Sequence, residues 1–156
     1  MFDAIARLFG QDHSDTQRPI EPRLAVAALL VHLAAVDGSA KPQEMKVAGN
    51  ALKDHYGLTD TQVRDLIVEA RRKDREAVDF YQFTSALSTL PPDEKIAIVR
   101  MMWQVVFADE SNHELEDNMV WRVAELIGVS SRERTVLRNQ MRRNADATLD
   151  ADETSS

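Results

Sequence analysis

Residues 24–44 read LAVAALLVHLAAVDGSAKPQE, and residues 96–116 read IAIVRMMWQVVFADESNHELE. Each stretch opens on thirteen residues that are apolar almost all round, which is the pattern of a helix buried on every side. Each then breaks at an Asp (Asp37, Asp109), passes a Ser (Ser39, Ser111) and enters a new helical pattern carrying a Glu (Glu44, Glu116). Asp37 and Asp109 lie 72 positions apart, as do Glu44 and Glu116. One residue is lost before a shared step, Gly57-Leu58-Thr59 against Gly128-Val129-Ser130. Two amphipathic helices align by chance easily, whereas paired acids at equal spacing do not. The stretch therefore reads as an internal repeat.

Working outward, the periodicity predicts helices over about 22–36, 41–56, 60–72, 78–90, 93–108, 112–127 and 131–142. Pro22 and Pro42 suit first turns. Gly57 and Gly128 suit left-handed caps, and Ser130 with Glu133 forms a capping-box pattern. Pro91-Pro92 stops the middle helix. The expectation is an all-α, compact seven-helix bundle of two pseudo-symmetric three-helix halves joined by a middle helix. Residues 22–142 form this domain. Residues 10–21 read as a polar linker, and residues 143–156 as a disordered acidic tail. Residues 1–9, MFDAIARLF, place Met1, Phe2, Ile5, Leu8 and Phe9 on one face of a short amphipathic helix. That face suits docking on the protein's own core, on a partner, or peripherally on a membrane surface.

Composition narrows the function. There is no cysteine, which removes disulfides, thiolate catalysis and Cys-ligated zinc. The formal net charge is −7, and the basic clusters Arg71-Arg72-Lys73 and Arg142-Arg143 sit among acids, so nucleic acid is not an expected partner. No apolar run reaches the roughly 18 residues needed to span a bilayer. Residues 1–9 carry neither a basic leader nor a small-residue cleavage site. The expected location is cytoplasmic, with residues 1–9 offering a contact to the inner membrane face. His13, His32, His55 and His113 lack HExxH-type spacing. His32 reads as a hydrogen-bonded interior residue, and Trp103 and Trp121 as core. A nucleophile elbow and a phosphate-binding glycine loop are both absent, so the expectation is a non-enzyme.

Asp37, Glu44, Asp109 and Glu116 are the candidate metal ligands, because hard divalent cations take several oxygen donors. Glu110, Asn112 and Glu114 would add oxygens at the second corner. Ca²⁺ is the favoured ion, with Mg²⁺ and Zn²⁺ as alternatives. The competing reading makes the same acids helix caps, each favoured by about 0.3–1 kcal/mol at a helix N-terminus. The chain would then be an interaction scaffold without metal. Neither corner carries the ligand spacing of an EF-hand.

The corner AAVDGSAKPQE, the half-corner FADESNHELE and the two Gly-hydrophobic-Ser/Thr steps resemble the tellurite-resistance TerB-like family, over about residues 20–142. The opening MF-x-x-I-x-x-LF with its polar linker is similar to an uncharacterised TerB-like branch. The resemblance implies an all-helical fold of two pseudo-symmetric halves with acids proposed to bind metal: Asp37 and Glu44, then Asp109 and Glu116. It also implies action through protein partners in resistance to tellurite and other stresses, in membrane-linked complexes. A related domain occurs in a membrane-anchored DnaJ-type co-chaperone. The second corner departs by carrying Glu110 where the first has Gly38.

Overall fold

The computed structural model describes residues 20–36, 42–108 and 114–154, with side chains as far as Asn144. Residues 1–9, and nearly all of the linker that follows them, lie outside the described residues. Seven helices are present among the described residues, and no strand. They are α1 (Pro22–Ala34), α2 (Pro42–Tyr56), α3 (Asp60–Glu76), α4 (Tyr81–Leu87), α5 (Pro92–Val106), α6 (Glu114–Ile127) and α7 (Ser131–Thr154).

Two helices make the centre. α1 is buried along most of its length, from Ala25 through Val31 and again at Leu33 and Ala34. It is covered by α2, α3, α4, α5 and α6. α5 buries Ile98, Val99, Met101, Met102, Trp103, Val105 and Val106 and packs on α1, α2, α6 and α7. Burying each large apolar side chain of this kind contributes about 1.5–3 kcal/mol. The two apolar stretches that opened the sequence are thus the paired axis of the bundle, and the amphipathic helices wrap around them.

Local chemistry sets the boundaries. α2 ends at Gly57, whose φ of 62° is open to glycine at little cost; the Leu58 amide then reaches back to the Lys53 carbonyl at 3.0 Å. α6 ends the same way at Gly128, with φ 95° and the Val129 amide on the Ala124 carbonyl at 2.8 Å. Both are Schellman closures. α3 starts with a reciprocal box: the Gln62 amide donates to the Thr59 hydroxyl at 3.2 Å, and the Thr59 amide donates to the Gln62 side chain at 2.9 Å. At α7 the Glu133 amide donates to the Ser130 hydroxyl at 3.2 Å.

Three helices differ from expectation by three residues or more, and the first, α3, runs past the predicted 72 to Glu76. α4 is shorter than the predicted 78–90. Val78 is fully exposed, and the Asp79 carboxylate accepts the Tyr81 amide at 2.8 Å, which starts the helix later. α7 continues to Thr154, well past Arg142, where the acidic tail was expected to begin. That segment contains Ala145, Ala147, Leu149 and Ala151 and no Gly or Pro, so nothing in it terminates a helix already under way.

Candidate functional site

Glu44 and Glu116 each occupy the third position of their helices, α2 and α6. Both are inside the protein, at 0% and 2% exposure. Among the described residues only these two acids are buried, and the one other buried polar side chain is Thr84, whose hydroxyl donates to the Tyr81 carbonyl at 2.9 Å. A surface carboxylate at a helix start gains a few tenths of a kcal/mol from the dipole. A buried one loses several kcal/mol of hydration, so its charge must be met by donors, a counter-charge or a cation. Helix first turns supply part of that need, because their amides have no intrahelical acceptor. α2 and α6 both pack on the central pair α1 and α5. The two glutamates are therefore carried by helices that share the same support.

The remaining candidates are placed less fully. Asp37, Asp109, Glu110 and Asn112 lie outside the described residues, as does His113. Glu114 opens α6, and its side chain lies outside them too. Among the described residues no group of three or more His, Asp or Glu side chains is positioned to hold a metal ion. Glu44 and Glu116 carry the hard oxygen donors that Ca²⁺ or Mg²⁺ takes, but two carboxylates alone fall short of the about six to eight oxygens of a Ca²⁺ shell.

Three polar clusters join residues far apart in the chain; the sequence points to a hydrogen bond at His32 but not to its partner, and the ring is part-buried where an interior position was expected. His32, on α1, meets Asp74, near the end of α3, at 2.7 Å and lies tilted against the Phe80 ring at 5.9 Å. The hydrogen bond to Asp74 raises the His32 pKa, against the opposing effect of partial burial. His55 meets Glu94 at 3.2 Å and sits edge-on to Tyr56 at 4.7 Å. Burial, with the nearby Glu94 charge, pushes the Tyr56 hydroxyl up to about 12.

The third cluster ties α7 to α5 and α6. Arg138 donates to Asp117 at 2.9 Å and lies over the rings of Trp103 and Phe107, at 5.5 and 5.7 Å. Arg134 donates to the Trp121 carbonyl at 2.9 Å and covers the Trp121 ring at 5.3 Å. Trp103 is fully buried and Trp121 half-buried, the two meeting edge-on at 5.9 Å. No helix among the described residues is long and apolar enough to cross a membrane.

An all-helical module on a paired apolar axis, with one buried glutamate at the third position of α2 and another at that of α6, is the class these features define. Residues 23–139 match the family model described as tellurite resistance protein TerB. The chain belongs to that family. No curated protein and no solved structure matches it.

Proposed function

We propose that this chain is a non-catalytic TerB module that binds a divalent cation through Asp37, Glu44, Asp109 and Glu116 and acts through protein partners in tellurite-type stress resistance. One observation carries the reading: the two glutamates singled out by the repeat are the two acids buried among the described residues. A hard cation compensates buried carboxylates directly, and Ca²⁺, with its tolerance of irregular oxygen sets, suits them best. Glu110, Asn112 and Glu114 are the accessory donors. The module works in the cytoplasm, and residues 1–9 supply its contact with a partner or with the inner membrane face.

A second reading has one observation in its favour. The third helical position of Glu44 and Glu116 is the position from which Gln62 completes the capping box of α3. In that reading the acids order the helix starts and the chain is a scaffold without metal. Calorimetry with Ca²⁺, Mg²⁺ and Zn²⁺ on the wild type and on the Asp37→Ala/Asp109→Ala double variant separates the two. The cation reading expects saturable heat that the double variant loses. Wild-type heat that is absent, or unchanged in the variant, leaves the scaffold.

A further inference from the structure

α5 and α7 pack side by side, and a furrow runs between them. Near their starts it forms a hollow of about 230 Å³, lined by Ile96, Val136 and Leu137 with Arg132 and Glu133 at the edge. Further along both helices it widens to about 540 Å³ between Arg100 and Gln104 on α5 and Gln140, Arg143 and Asn144 on α7. Residue numbers rise together on the two walls, so the helices run parallel and the hollows succeed one another, about one helical turn or ~6 Å apart.

The two ends differ in chemistry. The narrow end is apolar, and Val136 stands half exposed over it. In the wide end the described lining side chains that can bear charge are both arginines, in a protein whose net charge is −7. Arg100 and Arg132 are in no ion pair among the described residues. Among the described residues that line the furrow the one carboxylate is Glu133, which accepts from the Ser130 hydroxyl at 2.9 Å in the cap of α7. Arg143 lies along its own helix, its Nε donating to the Asn139 carbonyl at 3.3 Å, which leaves its terminal nitrogens for another acceptor.

We propose that this furrow is a docking site for an acidic segment of a partner protein, one that places an aliphatic side chain against Ile96 and Val136 and carboxylates between Arg100 and Arg143. Guanidinium groups match carboxylates in a planar, two-bonded geometry, and Gln104 and Gln140 add neutral donors beside them. A nucleic-acid strand fits less well: the apolar end offers nothing to a sugar–phosphate chain, and the negative surface outside the furrow repels one. None of its lining residues is among the acids assigned to the cation, so the proposal is tested with and without Ca²⁺.

The test is fluorescence anisotropy on the full chain at about 0.15 M salt. The probe is a labelled synthetic peptide in which a leucine precedes a run of glutamates. Saturable binding is expected, with and without Ca²⁺, weakened at least about tenfold by Arg100→Glu/Arg143→Glu and also by Val136→Asp. These side chains are exposed, so circular dichroism should find the variants folded; Gln104→Ala is a milder second probe of the same wall. The proposal is overturned if the peptide does not bind, if a lysine version binds equally, or if the variants leave binding unchanged. A labelled oligonucleotide that binds as well as the peptide overturns it too, as does self-association of the chain that the same variants abolish.

Discussion

His32 Nδ1 and Asp74 Oδ1 stand 2.7 Å apart across the α1–α3 interface, joining the central helix to the last turn of its neighbour. The contact is only partly shielded, with about a third of the imidazole exposed. It stabilises most when the ring is charged.

From that pair follows a pH dependence. The His32 pKa is raised in the folded protein, so its contribution is complete below the unfolded value of about 6.5 and is lost as pH rises through the folded value. The melting temperature should therefore fall on going from pH 6 to pH 8, and Asp74→Asn should flatten that fall. Discounted for solvent, the effect should be about 1 kcal/mol or less at the acid end. Thermal unfolding of both proteins across this range measures it; equal slopes would remove the pair from the stability of the fold.

Gly57 and Gly128 set up a second prediction. A side chain at either must adopt a positive φ, 62° and 95° respectively. Space is not the obstacle at Gly57, where an added Cβ meets nothing within 4 Å. Gly57→Ala should cost about 1 kcal/mol in urea unfolding, from backbone conformation alone. Gly128→Ala should cost more, because 95° lies beyond the left-handed helical minimum near +57°.

The Arg138 cluster predicts strong coupling. Arg138 and Asp117 are both about three-quarters buried. Removing either alone leaves the other charge unmatched, so Arg138→Met and Asp117→Asn should each cost about 2–3 kcal/mol. The double variant should cost clearly less than their sum. Arg138→Lys should not rescue, since an ammonium cannot both pair with Asp117 and lie flat over Trp103 and Phe107. Urea unfolding of the four proteins closes the cycle.

Glu44→Gln and Glu116→Gln separate ligand from cap. Gln keeps the shape and can still accept the backbone amide at the helix start, as the Gln62 side chain does from Thr59 at α3. If the carboxylates hold a cation, excess Ca²⁺ should raise the wild-type melting temperature by mass action, and each substitution should remove most of that rise. A rise of equal size in all three proteins would favour the capping role.

Much of this architecture was legible along the chain because its causes are local. Thr59 and Ser130 cap the next turn, Gly57 and Gly128 close the previous one, and the nearly all-apolar runs at 24–36 and 96–108 have nowhere to go but the centre. The burial of Glu44 and Glu116 was foreshadowed only indirectly, by their repetition at one spacing. Charge alone points to a loose tail after Arg142, yet α7 runs on to Thr154, in a segment that holds no Gly or Pro.

What the sequence by itself determined, then, is the set of helices, their caps and the two that form the axis, since turn chemistry and apolar periodicity act over a few residues. The tertiary structure alone decided which polar groups meet: His32 with Asp74, His55 with Glu94, Arg138 with Asp117 and Trp103. Those partners lie tens of residues apart, and no rule of local spacing links them. Only the packing of whole helices against one another settles which side chain faces which.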